Sequence, residues 1–194
     1  IGLSSIRDGC GAIKMSNKEL FVLSHKSDEW YTPAEYVEAA RKVLGQIDLD
    51  PASSEVANKV VKAKKFFTKE DDGLAHEWYG KVWLNPPYGK ETPKFVKKLV
   101  HEYESGKVEE AILLVSAGTI SNKWFAMLWP YVLCFTDHRI QFYTVDGSVC
   151  GRNTRGSVFV YLGKNNNKFA VEFSQFGAIV KCCNYCSKFY NAKA

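Results

Sequence analysis

One short run of residues constrains this chain more than any other: Asn85-Pro86-Pro87-Tyr88-Gly89, directly after the apolar residues Val82-Trp83-Leu84. A continuous apolar run bounded by turn residues is typical of a buried strand in a parallel sheet. Two successive prolines cannot extend that strand, because proline lacks the backbone N–H group and its ring fixes φ. We therefore expect a buried strand that ends at Leu84 and opens into a rigid turn that presents carbonyl groups.

This turn has the chemistry to hold an exocyclic amine on a flat base. Such an amine is a weak nucleophile, because its lone pair is delocalised into the ring. If Asn85 Oδ1 and the Pro86 carbonyl accept its two N–H groups, the lone pair is freed to attack a methyl donor. Tyr88 can stack on the face of the base. Taken alone, a Pro-Pro turn after a strand is the more ordinary interpretation, so the rest of the chain must decide.

Elsewhere the pattern alternates strands with helices, which predicts an α/β fold with a mainly parallel central sheet flanked by helices. Thr32-Pro33-Ala34-Glu35 is a capping box, and it predicts a helix that Gly45 ends. Further helices are predicted from Thr92 to just before Gly106, around residues 124–130 and around residues 169–176. The predicted strands cover residues 46–49, 66–67, 81–84, 111–115, 131–135, 140–143, 158–162 and 178–181.

Composition sets outer limits. A chain of 194 residues that is 46% hydrophobic fits one globular domain, and its net charge of +5 is compatible with binding a polyanion. No apolar run reaches the length of a membrane span, so we expect no membrane association. Reduced thiols in an intracellular protein are expected for the six cysteines. Cys183 and Cys186 have metal-ligand spacing, but a second pair is missing, so no metal is expected.

Two acidic segments lie near strand ends. Asp48-Leu49-Asp50-Pro51-Ala52-Ser53 follows the first predicted strand, and Asp71-Asp72-Gly73-Leu74 precedes the third. Ligands of open α/β sheets bind outside the carboxyl ends of the strands. An ionised carboxylate there can accept from ribose hydroxyls or an adenine amino group, and it can balance a sulfonium charge. Each aspartate could also be an ordinary cap or turn residue.

Four segments in this order resemble the phage-type DNA N6-adenine methyltransferases, the Dam family of phages and prophages. They are residues 28–33, 47–53, 71–74 and 82–89. The similarity continues through Arg139–Phe142 and Val158–Gly163, and covers about residues 28–180. It implies a Rossmann-like class I methyltransferase fold and S-adenosylmethionine as cofactor. The domain would span residues 28–181, after an N-terminal extension (1–27) of unknown role and before a tail (182–194).

The resemblance assigns roles to individual residues. Asn85, Pro86, Pro87 and Tyr88 would form the catalytic site, and Tyr31, Thr32 and Pro33 would close over the methionine part of the cofactor. Asp72 would bind the cofactor adenine, with Asp71 as the rival. The glycine-rich first loop of many methyltransferases is absent, which leaves the choice between Asp48 and Asp50 open. The remaining predicted cofactor contacts are Pro51, Ser53, Leu74 and Asn85.

The implied partner is double-stranded DNA, from which the enzyme would flip the target adenine. Tyr88 would stack on one face of that base, and an aromatic residue of the segment 139–143, with Phe142 as the first choice, would cover the other. A recognition loop is expected near residues 138–157, and lysines beside the catalytic loop could contact phosphates or simply form a solvated helix face. The predicted DNA-binding residues are Lys90, Lys94, Arg139, Phe142, Arg152, Asn153 and Arg155.

Alternative functions remain at this level. The Asn-Pro-Pro-Tyr turn also suits an enzyme that methylates cytosine N4, RNA adenine or a glutamine side chain. A non-catalytic nucleic-acid-binding module with a methyltransferase-like fold is a further alternative, which the intact turn and both acidic segments disfavour. The phage-type resemblance implies the cytoplasm of an infected or prophage-bearing bacterium, or a nucleus if the source is eukaryotic. A monomer is favoured over an oligomer.

Overall fold

The apolar segments assemble into one seven-stranded sheet with helices packed on both faces. The computed structural model describes residues 31–143 and 155–182, and structural statements concern that part of the chain. The predicted N-terminal extension, the C-terminal tail with Cys183 and Cys186, and the predicted DNA contacts Arg152 and Asn153 lie outside the described residues.

The elements follow in alternating order along the chain. The strands are β1 (Leu49–Asp50), β2 (Lys65–Phe66), β3 (Gly80–Leu84), β4 (Val108–Ser116), β5 (Val132–Thr136), β6 (Ser157–Leu162) and β7 (Gly177–Lys181). The α-helices are α1 (Ala34–Leu44), α2 (Glu55–Val61), α3 (Thr92–Glu104) and α4 (Asn166–Phe173). Short 3-10 helices cover Gly73–Ala75, Ala117–Thr119 and Lys123–Leu128. Within the described residues, no helix is both long enough and apolar enough to cross a membrane.

The sheet has a parallel half and an antiparallel half. Its strand order is β2-β1-β3-β4-β6-β5-β7. The first four strands in this order are parallel to their neighbours, whereas the pairs β4–β6, β6–β5 and β5–β7 are antiparallel. The prediction of a mixed α/β fold is therefore confirmed, and the mainly parallel arrangement holds for the first part of the sheet. All four parallel strands end at the same edge.

Strand alternation divides the core into two layers. Trp83, Ile112 and Phe159 point to the face covered by α1 and α4. Their neighbours, such as Leu84 and Leu113, point to the face covered by α3 and the 3-10 helix at Lys123–Leu128. Because every second residue changes face, strands buried on both sides read as continuous apolar runs in the sequence. Packing of these two layers on the sheet stabilises the strands whose ends form the candidate site.

Two predictions of local structure are wrong. Residues 140–143 do not form a strand of the sheet, because β6 and β7 already occupy both edges of β5; only an isolated bridge joins Tyr143 to Tyr31. The capping box at the start of α1 is also absent. Pro33 is the N-cap residue, and the Thr32 hydroxyl accepts a hydrogen bond from Asn85 instead.

The sequence patterns also missed one helix and mistook another. The lysines at residues 59–65 concealed α2, which the Ser54 hydroxyl caps by accepting from the Ala57 amide over 3.1 Å. Residues predicted as a third α-helix form the 3-10 helix Lys123–Leu128. Both elements flank the site edge of the sheet, and their neighbouring loops supply parts of its wall.

Candidate functional site: a cavity at the carboxyl edge of the parallel strands

A cavity of about 1530 Å³ opens where the parallel strands end. Asp50 at the end of β1, Asn85 just after β3 and Ser116 at the end of β4 contribute to its walls, and Ser157 at the start of antiparallel β6 adds to the same edge. Pockets for single small ligands usually measure roughly 300–1,000 Å³. This cavity therefore has room for two ligands at once, such as a cofactor and a base.

Most of the residues that the sequence assigned to a site meet in this cavity. Those lining it are Tyr31, Thr32, Pro33, Asp50, Pro51, Ser53, Asp72, Leu74, Asn85, Pro86, Pro87, Tyr88 and Arg155. Six others do not line it: Asp48, Asp71, Lys90, Lys94, Arg139 and Phe142. The structure thus brings together four segments that are far apart along the chain, residues 31–33, 50–53, 72–74 and 85–88, together with Arg155.

Asn85 presents an acceptor to the cavity. Its Nδ2 donates to Thr32 Oγ1 over 3.2 Å. Its Oδ1 is buried and has no hydrogen-bond partner among the described residues. Nearly all buried polar atoms in folded proteins are hydrogen-bonded, and an unpaired one costs about 1–3 kcal/mol. A ligand with an N–H group would satisfy this oxygen.

The proline turn is fixed by the helix that follows it. Thr92, the first residue of α3, donates its hydroxyl to the Pro87 carbonyl over 2.6 Å. Pro93 occupies the first turn of the same helix, where its missing N–H needs no partner. Pro86 is buried and lines the cavity, while Pro87 is exposed. Because the Pro87 carbonyl is engaged, the Pro86 carbonyl is the better candidate acceptor for a second N–H group of a ligand.

Tyr88 offers an aromatic face, with support from below. Tyr88 is 44% exposed, and burial raises the pKa of its hydroxyl above the ordinary value. Phe142 packs against it edge-on, with ring centroids 6.4 Å apart and planes at 78°. Phe142 itself is only 1% exposed. The prediction that Phe142 contacts a flipped base is therefore not supported, because its ring lies under Tyr88 in the core.

Tyr143 is the aromatic residue of that segment that lines the cavity. Its backbone pairs with Tyr31 through two hydrogen bonds of 2.8 and 3.0 Å. Tyr31 in turn accepts a hydrogen bond at its hydroxyl from Ser54 Oγ over 3.4 Å. These contacts join the segment before α1 to the segment after β5 across the mouth of the cavity.

Two aspartates at β1 differ sharply in environment. Asp50 is 2% exposed and lines the cavity. Burial raises its pKa to about 7, against the lowering influence of the Ala52 amide, which donates to Oδ1 over 3.2 Å, and of the nearby Ser53 hydroxyl. Ser53 Oγ is buried without a partner of regular hydrogen-bond geometry among the described residues. Asp50 and Ser53 are thus poised toward a ligand.

Asp48 is fully engaged with the protein instead. It accepts from Lys64 Nζ at 2.9 Å, from the Lys81 amide at 3.0 Å and from Gln46 at 2.9 Å. Partial burial tends to raise the pKa of Asp48, but these hydrogen bonds outweigh it and lower the pKa below its ordinary value. The sequence could not choose between the two aspartates; the structure places Asp50 in the cavity and Asp48 in an ion pair outside it.

In the second acidic segment, too, one aspartate lines the cavity and the other does not. Asp71 is exposed and caps its own turn, accepting from the Thr68 amide and hydroxyl at 2.9 Å each. Asp72 lines the cavity in a left-handed conformation (φ 51°) and accepts from the Leu74 amide over 3.2 Å. Among the described residues this is the one hydrogen bond of its carboxylate, so the second oxygen can serve a ligand.

A glycine brings the two acidic segments together. A Cβ atom on Gly73 would lie 1.9 Å from the Pro51 carbonyl oxygen, a separation that no side chain tolerates. The Gly73 carbonyl also accepts from the fully buried Trp78 Nε1 over 2.7 Å. Asp72 therefore sits on the Asp50–Pro51 turn because residue 73 has no side chain.

Of the predicted DNA contacts, Arg155 has the closest relation to the cavity. It lines the cavity wall, and its Cδ would be 2.8 Å from a Cβ on Gly118, so the side chain lies directly against the loop after β4. Lys94 pairs with Glu91 at 3.1 Å, and both are well exposed. Lys90 and Arg139 are exposed outside the cavity. These positions leave DNA contact by the four basic residues as a prediction.

Sequence reasoning missed one wall of the cavity. Ser116, Thr119, Asn122 and Trp124 line it from the segment after β4. A signal was present: a polar stretch directly follows the apolar run 111–115 and falls at the carboxyl end of a parallel strand. Among the described residues no group of three or more potential ligands is arranged to hold a metal ion.

Fold and site together define an α/β ligand-binding protein, with a cavity at the carboxyl ends of parallel strands and an Asn-Pro-Pro-Tyr turn in its wall. The family model of DNA N-6-adenine-methyltransferase (Dam) matches residues 21–174. The chain belongs to this Dam family. A DNA N-6-adenine-methyltransferase of Haemophilus phage HP1 is 32% identical over 106 residues, which cover 53% of this chain and 58% of that protein. The match thus spans less than two thirds of the relative.

Proposed function

We propose that this protein methylates adenine N6 in double-stranded DNA, with S-adenosylmethionine as the methyl donor. The observation that carries the proposal is the unpartnered, buried Asn85 Oδ1 in a cavity large enough for both a cofactor and a base. Family membership and the phage relative point to the same reaction. In this view the strand order and the site edge correspond to a Rossmann-like class I methyltransferase fold.

The cavity fits the cofactor on its acidic side. Asp50, Ser53 and Asp72 supply acceptors or hydroxyls within the cavity, next to Tyr31–Pro33. Asp50 would face the ribose or the sulfonium charge, and Asp72 would accept from the adenine amino group. Pro51 and Leu74 would pack against the cofactor as apolar wall residues. When bound, S-adenosylmethionine supplies an electrophilic methyl group on a positively charged sulfur.

The chain's own residues would prepare the target amine. Asn85 Oδ1 and the Pro86 carbonyl accept its two N–H groups and so orient its lone pair into the cavity. Tyr88 stacks on one face of the flipped adenine, and Tyr143, in place of Phe142, is the aromatic residue positioned to approach from the segment after β5. Orientation of the two reactants accounts for much of the rate, and the proton can leave after transfer without a strong base.

Duplex DNA would approach from the side of Arg155. Its place on the cavity wall suits contact with the target strand, together with Arg152 and Asn153 in the proposed recognition loop. Lys90, Lys94 and Arg139 would at most contact phosphates, since they lie outside the cavity. Because the relative comes from a bacteriophage, we place the reaction in the cytoplasm of a bacterial host; a nuclear location has no support. A monomer is sufficient, because all proposed contacts come from one chain.

Nucleoside mass spectrometry tests the reaction directly. The protein is incubated with isotopically labelled S-adenosylmethionine in three parallel reactions. These contain duplex DNA, single-stranded DNA or RNA, each of mixed sequence. We expect label in N6-methyladenine from duplex DNA. Label in N4-methylcytosine, in RNA or in added protein would replace the proposal with one of the other amine methyltransferases. Binding of DNA and cofactor with no label in any product would make the protein a non-catalytic module.

A further inference from the structure

We infer that Thr32 is a positioning residue that keeps the oxygen of Asn85, rather than its nitrogen, turned toward the target amine; the inference rests on the proposed function. Asn85 Nδ2 donates to Thr32 Oγ1 over 3.2 Å. The two ends of a side-chain amide have nearly the same shape but opposite roles. A half-turn of the amide would place a donor where the target amine also donates, and the site could no longer hold it.

Thr32 is well placed for this task because its own position is fixed from both sides. The preceding residue, Tyr31, is held by the two backbone hydrogen bonds to Tyr143. The following residue, Pro33, starts α1 with φ −54°. Thr32 itself is only 9% exposed. A hydroxyl that cannot move away acts as a constant acceptor for Asn85 Nδ2, and leaves Oδ1 buried, unpartnered and facing the cavity.

The hydrogen bond between Thr32 and Asn85 also connects the segment proposed to cover the cofactor with the turn proposed to hold the target base. Thr32 belongs to the segment proposed to close over the cofactor, whereas Asn85 belongs to the turn proposed to hold the target base. Since Thr32 lies between them, correct seating of the Tyr31–Pro33 segment also selects the reactive orientation of Asn85. Sequence patterns do not reveal this role, because Thr32 has the spacing of the first residue of a capping box.

The first test compares Thr32→Val, which keeps the shape but removes the hydroxyl, with Thr32→Ser, which keeps the hydroxyl. Single-turnover methyl transfer to duplex DNA is measured at saturating cofactor, and cofactor Kd is measured by titration calorimetry. We expect Thr32→Val to lower the transfer rate by about 10- to 100-fold. Thr32→Ser should stay within about threefold of the wild-type rate, and because the cofactor is saturating, a change in cofactor Kd cannot account for the loss of rate in Thr32→Val.

A second comparison separates positioning from a general structural role. In Asn85→Asp both oxygens of the side chain are acceptors, so rotation no longer matters. Adding Thr32→Val to Asn85→Asp should therefore change the single-turnover rate by less than about threefold. An equal loss in both backgrounds, or a failure of Thr32→Ser to restore the rate, would overturn the inference. So would a Thr32→Val defect confined to cofactor Kd.

An NMR measurement keeps the inference testable apart from the reaction. With 15N-labelled asparagine, the Asn85 Nδ2 protons should exchange with water about tenfold or more faster in Thr32→Val than in wild type, and at the wild-type rate in Thr32→Ser. Unchanged exchange in Thr32→Val would refute the contact. If wild type transfers no methyl group to adenine while this exchange pattern holds, the proposed function fails and the positioning of Asn85 by Thr32 stands.

Discussion

The two edges of the sheet treat polar side chains in opposite ways. At the amino edge of the parallel strands they pair with one another. Lys81 Nζ donates to the Leu44 carbonyl over 2.5 Å and lies 3.6 Å from Glu110, whose carboxylate accepts from the Tyr161 hydroxyl over 2.5 Å. Asp48 belongs to the same edge through its bond to the Lys81 amide. Burial, followed by the bond to Glu110, raises the pKa of Tyr161.

At the carboxyl edge some polar groups are buried without a full set of hydrogen bonds. Ser53 Oγ and Asn85 Oδ1 have none among the described residues, and Asp50 has a pKa raised to about 7 by burial. Each such group lowers the free energy of unfolding, since burial without a full set of hydrogen bonds costs about 1–3 kcal/mol. Paired polar groups thus lie at the amino end of the parallel strands, and groups without a full set of hydrogen bonds lie at the carboxyl end, where cofactor and base are proposed to bind.

A substitution of Asn85 is the strongest test of the difference between the two edges of the sheet. Asn85→Ala should lower methyl transfer by about a thousandfold or more, because it removes an oriented acceptor for the amine, an effect comparable with losing an oxyanion-hole group. Cofactor Kd should change far less than the transfer rate, because the main role proposed for Asn85 Oδ1 is to hold the target amine. Nucleoside mass spectrometry and calorimetry measure the two quantities. Transfer within a few-fold of wild type would show that the carboxyl edge does not hold the amine through Asn85.

Asp50 gives the next largest effect, on stability. Its native pKa of about 7 lies above that of the unfolded chain, so the cofactor-free protein should lose stability as pH rises from about 4 to 7, and remain less stable above that. Asp50→Asn removes the charge and should raise the free energy of unfolding at pH 8 by up to about 4 kcal/mol, and by less at pH 5. Urea unfolding at several pH values checks this.

The same substitution should weaken the binding of S-adenosylmethionine, because Asp50 must ionise to face a positively charged ligand. Wild type should therefore bind the cofactor more tightly at pH 8 than at pH 6, with release of a proton that calorimetry in two buffers can detect. Asp50→Asn should abolish this pH dependence. A variant that is no more stable at pH 8 and binds the cofactor as wild type does would remove Asp50 from the site.

Asp72 and Asp71 provide a matched pair within one turn. Asp72→Ala should weaken cofactor binding by about 1.5–3 kcal/mol, since a carboxylate that accepts from a bound amine is lost. Asp71→Ala should leave cofactor Kd unchanged, because Asp71 is exposed and bonded to Thr68. Isothermal titration of both variants is the measurement. The reverse ranking would exchange their roles.

Most of the fold could be predicted from apolar patterns, because strands such as Val82–Leu84 and residues 111–115 are buried on both faces and read as unbroken runs. Residues 140–143 show why such a pattern can fail. Ile140 and Phe142 are buried and their neighbours exposed, as in a strand. Only the strand order reveals that β5 has no free edge to receive them. Whether residues 140–143 join the sheet depends on the pairing of distant segments, which local periodicity does not reveal.

The residues of the candidate site likewise fall into some that the sequence could predict and some that it could not. Asn85–Tyr88 could be proposed from the sequence, because the proline turn after a buried strand occurs in order with the two acidic segments. The choice of Asp50 over Asp48 could not, since Asp48 directly precedes β1 and Asp50 ends it, and only the positions of Lys64, Lys81 and the cavity distinguish them. The choice of Tyr143 over Phe142 and the contribution of Asn122 could not be predicted, because their approach to the cavity depends on chain segments folded from elsewhere.

The smallest expected effect lies at the paired edge. Lys64 is 62% exposed and its partner Asp48 is 15% exposed, so the ion pair is largely screened by water. Lys64→Ala should lower the free energy of unfolding by only about 0.2–1 kcal/mol. Because the pKa of Asp48 is lowered in the folded protein, this contribution should be present at neutral pH and vanish as pH falls below the ordinary aspartate range.

Neither cofactor Kd nor the transfer rate should change, since the pair lies outside the cavity. Urea unfolding and single-turnover assays of Lys64→Ala, beside Asp50→Asn as the carboxyl-edge counterpart, test this; a loss of cofactor affinity in Lys64→Ala would show that the two edges are not independent.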